Sequence, residues 1–486
     1  MKLKVIFDLI FAPVKKISYL NIIDIITMKR LSKNMEDFSS SKKHKMSKEE
    51  KKLLRKEALK FKTGENKKNK IISDQYQGDC VYYFQNGFRK VHPYFHTFQS
   101  NIKERWLNKS VKEVFENDFY SNSPLFVKSQ IENKNLLINN KETNLDYILK
   151  PNDVITHRVH RHELPVLDEP INIIHESDTV LVVCKPSSMP VHSVSKYHFN
   201  TVMGILHKSH GIQQLRVIHR IDRMTSGILL FGKDYETSSK LSGQIRDRQV
   251  LKYYLAVVGG KFNEEKEQPI ECNKPLGILC PKVGLAYLKS VEEGGKIAST
   301  KFMFLKYNEK QNLSLVLCKP LTGRTHQIRV HLQYLGFPIS NDPLYNCISW
   351  GKDKGKCGVY HKSKEQLIED LMANHDVSVH RFYENGNPET LQTFTENKSI
   401  ISDEEARNKY FEPSCDECLS RFSCNEDVDN FVLFLHAYRY RTVDTDWDYR
   451  TDIPNWVGLF ALSPTDKDTL INKLEFLTGS DCDIFD

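Results

Sequence analysis

Val217-Ile218-His219-Arg220-Ile221-Asp222-Arg223-Met224-Thr225-Ser226-Gly227-Ile228-Leu229-Leu230-Phe231 is the stretch on which the reading of this chain turns. Val217 to Ile221 and Ile228 to Phe231 are short apolar runs rich in β-branched residues, the pattern of two strands. Thr225, Ser226 and Gly227 mark the turn between them. The first strand is expected to deliver Asp222 to that turn, with Arg220 and Arg223 on either side. Neighbouring cations favour the charged form of an acid. The spacing therefore places an ionised carboxylate at the rim of a sheet, facing a positively charged cleft suited to phosphate. Taken alone, an Asp between two Arg is more often a structural ion pair that holds a turn.

Working outward, the signals stay β-rich. Ile171 to Ile174 and Thr179 to Val183 read as strands before the turn, and Tyr253 to Val258, Leu313 to Leu317 and Gln327 to Val330 after it. Tyr235 to Ile245 is the clearest helix. This pattern predicts an α+β fold with a mixed, mainly antiparallel sheet. Upstream, Val111, Val114, Phe115 and Phe119 recur at helical spacing within Lys109 to Phe119. Pro124 to Asn133 can form a second helix, capped by Ser123 with Pro124 at its first position. Leu136 to Ile138 and Val154 to Thr156 read as short strands. Two helices followed by short strands resemble an S4-type RNA-binding module. Downstream, residues 351–428 are rich in Gly, Lys, Glu and Asn and read as an insertion with local helices such as Lys364 to Met372. Apolar order returns at Phe431 to Tyr440.

The formal net charge of the 486-residue chain is +8, which favours anionic partners without choosing among them. Its location says more. Ser41 to Lys70 holds 13 Lys or Arg and 4 Glu, a net of +9, which leaves about −1 for everything else. The basic charge is an arm, and the folded part must place its cations locally. No run reaches the roughly 18 to 20 apolar residues of a membrane-spanning helix, so no membrane partner is expected. The 11 cysteines follow no small-domain disulfide pattern and fit a reducing compartment. Asp8 and Asp24 argue against a mitochondrial presequence. The compartment stays open among cytoplasm, nucleus and mitochondrion, with the cytoplasm slightly ahead.

His219-Arg220-Ile221-Asp222-Arg223-Met224-Thr225-Ser226-Gly227, followed by an apolar strand and Lys233, resembles the signature of RluA-type pseudouridine synthases. Two further blocks agree in the family's order: Lys252-Tyr253-Tyr254-Leu255-Ala256-Val257-Val258-Gly259, and Gly323-Arg324-Thr325-His326-Gln327-Ile328-Arg329-Val330-His331 with Pro338, Ile339 and Asp342 downstream. Phe434-Leu435-His436-Ala437 resembles the closing strand. Three stretches are similar to the eukaryotic branch, which includes enzymes modifying tRNA at position 32: Tyr83 through Tyr94, Val159 to Glu163, and Lys185-Pro186-Ser187-Ser188-Met189-Pro190-Val191-His192. The division implied is a disordered basic leader (1–75), an S4-like module with an N-terminal extension (76–165) and a catalytic core (166–350). An insertion or linker (351–428), a closing segment of the catalytic domain (429–460) and a C-terminal tail (461–486) complete it.

The resemblance implies an RNA-modifying isomerase without a cofactor or an obligate protein partner, acting on RNA, with tRNA foremost. Uridine's N1–C1′ bond breaks, the base turns, and C5 joins C1′. Asp222 is implied as the carboxylate beside C1′, in the manner of glycoside chemistry. Arg329 is implied as its guanidinium partner, whose bidentate geometry Lys does not reproduce. Tyr254 is implied as the stacking partner of the uracil, with a phenol available for the C5 proton. Strand alternation puts Tyr253 on the opposite face. The target base must be flipped out, at a cost of a few kcal/mol, and Arg220 is the implied occupant of the vacated space. Arg223, Thr225, Lys185, Gly323, Arg324 and Thr325 are the further candidates for contact with RNA.

Two other readings compete. A non-catalytic RNA-binding protein retaining the fold has no physical reason to keep Asp222, Tyr254 and Arg329 together. A glycosidase-like hydrolase needs a second carboxylate, which these motifs lack. Metal ligands are not assigned. His157, His160 and His162 lie on one basic stretch with no evident fourth ligand, and Cys415, Cys418 and Cys424 offer three sulfurs where a structural zinc takes four ligands.

Overall fold

The computed structural model describes residues 76, 80–118, 124–262, 268–280, 284–378, 404–413, 415, 418, 427–460 and 462–478. The basic leader lies outside them.

The chain enters through a hairpin, β1 (Tyr82–Gln85) and β2 (Phe88–Val91), closed by Asn86-Gly87, both at positive φ as a two-residue hairpin turn requires. A small α/β unit follows: β3 (Tyr94–Asn101), α1 (Val111–Asp118), α2 (Pro124–Glu132), β4 (Leu136–Ile138), β5 (Lys141–Glu142) and β6 (Val154–Arg161). Its sheet runs in the order β3-β6-β4-β5. Val111, Val114 and Phe115 of α1, Val127 of α2, and Leu136, Ile138 and Ile155 of the strands close one core with Trp106. The helical spacing of the first three residues thus marked the buried face, as expected. β7 (Val166–Leu167) pairs with β2 and leads on into the larger sheet.

That sheet carries the site. In chain order its elements are β8 (Asn172–Glu176), β9 (Val180–Lys185), α3 (Val202–His210), β10 (Arg216–Val217), β11 (Ser226–Gly232), α4 (Tyr235–Arg246), β12 (Val250–Gly259) and β13 (Ile270–Cys272). A side hairpin, β14 (Leu276–Cys280) and β15 (Leu285–Leu288), precedes β16 (Thr300–Asn308), β17 (Leu313–Pro320) and α5 (Gln327–Tyr334). Then come α6 (Lys364–Ser378), α7 (Glu404–Tyr410), β18 (Leu435–Thr442), β19 (Asp448–Arg450) and α8 (Pro464–Thr478). The strand order is β13-β16-β17-β12-β18-β11-β9-β8, with β10 on β11 and β19 on β18. Every pairing is antiparallel except β11 with β18. The α+β, mainly antiparallel expectation therefore holds.

Alternation along β12 divides the two faces. Tyr254, Ala256 and Val258 pack with Leu241 of α4 and Ile328 and Leu332 of α5. Tyr253, Leu255 and Val257 pack on the other face with Leu470, Leu474 and Leu477. These three leucines belong to α8, so most of the segment expected as a tail is a helix of the core. Their i, i+4, i+7 spacing is the helical signature, set among enough charged residues to read as solvated. α6 contains the local helix expected at Lys364 to Met372. Its Leu367 and Leu371 pack with Tyr345 and Trp350.

Two strand expectations are corrected. Gln327 to Val330 is the first turn of α5, not a strand. Ile328, Val330, Leu332 and Tyr334 alternate with polar residues, the two-residue period of a strand, and the helix is nonetheless buried from Gln327 to Gln333, polar residues included. Val217 to Ile221 is not a strand either. Pairing stops at Val217, and 218–225 leaves the sheet as an irregular loop.

Candidate active site

Asp222 sits on that loop, and the loop is anchored from several sides. Ile218 and Met224 are buried in the core beneath the α4 face. The Leu230 N–H donates to His219 Nε2 at 3.2 Å, so this buried imidazole accepts and is neutral. Burial, helped by Lys252, lowers its pKa to about 3. The Thr225 N–H donates to the Asp222 carbonyl at 3.1 Å, closing the turn. Ser187 Oγ donates to the Met224 carbonyl. Lys185 Nζ donates to the Arg223 carbonyl at 3.0 Å and to the carbonyls of Pro186 and Met189 at 2.8 and 2.9 Å. Gly227 then lets β11 meet β18. Its φ is +107°, and a Cβ there would lie 2.2 Å from the Ala437 carbonyl oxygen. Only glycine fits this crossing. Asp222 is thus carried just ahead of a central strand by a loop with little freedom.

The carboxylate is 28% exposed and has two neighbours from the start of α5: Arg329 Nη1 at 3.9 Å and His326 Nε2 at 3.9 Å from Oδ2. α5 begins with His326 in the left-handed region, φ +54°. Gln327 fixes this entry. Its Oε1 accepts from the Arg324 N–H at 3.0 Å and from Thr322 Oγ1 at 2.7 Å, and its Nε2 donates to the Ser299 carbonyl and Thr300 Oγ1, each at 2.9 Å. Arg329, two residues on, is 2% exposed and makes a bidentate pair with Asp342, Nε to Oδ2 at 2.7 Å and Nη2 to Oδ1 at 2.8 Å. Asp342 Oδ1 also accepts from the N–H groups of Leu344 and Tyr345. Burial raises the Asp342 carboxyl, but the Arg329 charge and these donors outweigh it and hold the group below the usual carboxylate range. The guanidinium lies over the Tyr345 ring, 4.8 Å from its centroid. Burial alone would lower the Arg329 pKa, but the two carboxylates and Tyr345 raise it. The result is one buried fixed cation with a carboxylate clamp on one side and the half-open carboxylate of Asp222 on the other.

His326 Nδ1 lies 2.7 Å from the Tyr345 hydroxyl. Burial lowers its pKa to about 4 against the pull of Asp222, so it is neutral at physiological pH. Tyr254 lies on the same face. A register shift between Tyr253 and Tyr254 in the pairing of β12 with β18 re-aims it at this point. Its hydroxyl pairs with that of Tyr440. Burial, with a further push from Asp222, keeps the phenol protonated.

The expected residues therefore divide. Asp222 and Arg329 meet, although the guanidinium's close partner is Asp342. Tyr254 shares their face, while Tyr253 belongs to the opposite one. Arg220 is exposed on the loop, and Gly323 and Arg324 are exposed on the turn entering α5, with Thr325 half-buried. Arg223 is half-buried, with Nη1 3.4 Å from the Ser188 carbonyl. Lys185 and Thr225 do not line the cleft. Lys185 is fully buried with its three N–H donors on three carbonyls, and Thr225 is 2% exposed and serves the turn through its backbone. Both position the loop. Asp342, His326, Tyr345 and Tyr440 had no role legible in the sequence. Asp342 and His326 stood in the quoted motif blocks, and the pairings that give them roles are tertiary.

Residues 179–334 match the family model described as RNA pseudouridylate synthase. The chain is 36% identical over 423 residues to the mouse (Mus musculus) pseudouridylate synthase RPUSD2, covering 79% of this chain and 74% of that protein. It is 35% identical to the mitochondrial tRNA pseudouridine(32) synthase of Saccharomyces cerevisiae, covering 76% of each. To the tRNA pseudouridine(31) synthase of the same yeast it is 30% identical, covering 78% of this chain and 97% of that one. The protein belongs to the RNA pseudouridylate synthase family.

Proposed function

We propose that this protein isomerises uridine to pseudouridine in RNA, with tRNA as the substrate class and Asp222 as the catalytic carboxylate. The observation that carries the reading is a half-open carboxylate with a buried, doubly held guanidinium 3.9 Å away. Cleavage of the N1–C1′ bond leaves positive charge on the ribose and negative charge on the base. Asp222, presented on its anchored loop, answers the first, and Arg329 keeps that carboxylate oriented. The freed uracil turns and bonds to C1′ through C5. The C5 proton leaves and N1 gains one, so the product is an isomer and no electrons are exchanged. Tyr254 offers its ring face to the base. The exposed Arg220 is free to occupy the space of the flipped nucleotide, and Arg324 on the facing turn is available to phosphate. The names of two yeast relatives support tRNA.

Tritium release from tRNA transcripts labelled at uridine C5 tests this. The wild-type chain should release tritium in proportion to pseudouridine formed, and Asp222→Asn should bind the same RNA without release. A folded wild-type chain that binds tRNA and releases nothing from any transcript or from total cellular tRNA would reduce it to an RNA-binding protein.

A further inference from the structure

β6 ends at His160-Arg161 with His162 the next residue, and the extended backbone there puts the two imidazoles on one side while Arg161 turns away to the Ser195 carbonyl. Against that side lie Cys415 and Cys418, more than 250 residues later. Cys415 Sγ is 3.5 Å from His162 Nε2. Cys418 Sγ is 3.4 Å from His162 Nε2 and 3.4 Å from His160 Nδ1. All four donor atoms lie within 4.8 Å of one another. We propose that His160, His162, Cys415 and Cys418 form a structural zinc site that clips the segment ending at Cys418 onto β6, apart from the catalytic centre.

Geometry and chemistry agree. With Zn–S near 2.3 Å and Zn–N near 2.05 Å, a tetrahedral ion separates sulfur from nitrogen by about 3.6 Å. The three measured separations fall within about 0.2 Å of that value. Two thiolates and two imidazoles are a closed zinc set, and soft sulfur disfavours Mg2+ and Ca2+. A two-iron cluster that placed the cysteines on one iron and the histidines on the other would hold sulfurs and nitrogens farther apart. A Cys415–Cys418 disulfide would draw the sulfurs to about 2 Å and leave the histidines no reason to converge. The Glu412 N–H points at Cys418 Sγ at 3.4 Å, as a donor to a metal-bound thiolate does. Glu163, next to His162, takes N–H donors from His198, Phe199 and Asn200, so the end of the histidine strand is fixed in the core.

The clip has a structural consequence. Tyr410 of α7 stacks on His92 at 4.4 Å, so this segment meets the entry hairpin as well as β6. Ligands so far apart in sequence close a long loop, and because the unfolded chain lacks the site, metal affinity becomes part of the folding free energy. Neither the two histidines nor the two cysteines complete a zinc set alone. Cys424, the third cysteine considered from sequence, lies outside the described residues.

The full-length chain, purified under reducing conditions, should carry about one zinc per molecule by elemental analysis. Replacing zinc with Co2+ should give the absorption of a tetrahedral S2N2 ion, including thiolate-to-cobalt charge transfer. Cys415→Ser with Cys418→Ser should lose the zinc, as should His162→Ala. Cys357→Ser, at an exposed cysteine elsewhere, should keep it. His160→Cys, which makes a Cys3His set, should retain metal with a shifted cobalt spectrum, a rescue that a fold-only role does not predict. The proposal is overturned if the reduced, cooperatively folded wild-type chain takes up no stoichiometric zinc or cobalt. It is equally overturned if the double serine variant keeps the wild-type zinc content.

Discussion

Replacing Arg329 with Lys keeps a positive charge and removes the fork. In the native site the guanidinium holds Asp342 with Nε and Nη2 at 2.7 and 2.8 Å and still presents Nη1 to Asp222 at 3.9 Å. An ammonium is one point of charge and cannot serve both carboxylates. Settled on Asp342, it gives up at least one buried charge-assisted hydrogen bond, worth about 1.5–3 kcal/mol. It also withdraws from Asp222. Unit charges 3.9 Å apart attract by about 4 kcal/mol at an effective dielectric near 20. Asp222 is 28% exposed, and water at that carboxylate should screen roughly half of this. About 2 kcal/mol remains, or roughly a 30-fold fall in the chemical step. Single-turnover tritium release, at a temperature where circular dichroism shows the variant folded, reads that step directly. Thermal or urea unfolding reads the stability loss. A folded Arg329→Lys variant within about threefold of the wild-type rate would refute the claim that the fork orients Asp222.

Three further outcomes follow from the same geometry. Tyr254→Phe keeps an aromatic face but strips the buried Tyr440 hydroxyl of its partner, costing about 1–3 kcal/mol of stability. If the phenol handles the C5 proton, Tyr254→Phe should slow tritium release far more than Tyr440→Phe, whereas equal small effects in single-turnover assays would leave only stacking. Lys185→Met leaves three carbonyls without their donor and frees the Asp222 loop. It should destabilise by a few kcal/mol and lower kcat more than it raises KM for tRNA, and an unchanged kcat in the folded variant would contradict the positioning role. His326, His331 and His157 are held neutral by burial, each lowered from 6.5 to about 4. Between those values the unfolded chain binds protons that the folded chain does not, so their stabilisation is present above pH 6.5 and lost as pH falls towards 4. Melting temperatures should drop over that window, and a flat profile would mean these imidazoles are protonated in the native state.

The sequence singled out candidate residues that the structure brings together, but misread the backbone that holds them. Asp222, Arg329 and Tyr254 were legible because each stands in a block of fixed spacing. The strand expected to carry Asp222 is a loop, since its apolar residues Ile218 and Met224 anchor into the core without pairing. The helix that carries Arg329 was read as a strand, since Ile328, Val330 and Leu332 alternate with polar residues that its tertiary partners bury. Lys185 and Thr225 were implied as RNA contacts by the motif blocks they stand in, but Lys185 spends its donors on three backbone carbonyls and Thr225 closes the turn through its own N–H. The clamp from Asp342 and the four-ligand cluster at His160, His162, Cys415 and Cys418 lie in tertiary space, where spacing along the chain carries no information. α8 is the exception, because Leu470, Leu474 and Leu477 stood at helical spacing in plain view.

Position-resolved mapping of pseudouridine in cellular RNA, comparing the wild-type chain with Asp222→Asn at equal abundance, tests the central claim most directly. Particular tRNA uridines should lose the modification in the variant and regain it when the wild-type chain is restored. An unchanged map, or restoration by the Asp222→Asn variant equal to that by wild type, would contradict it.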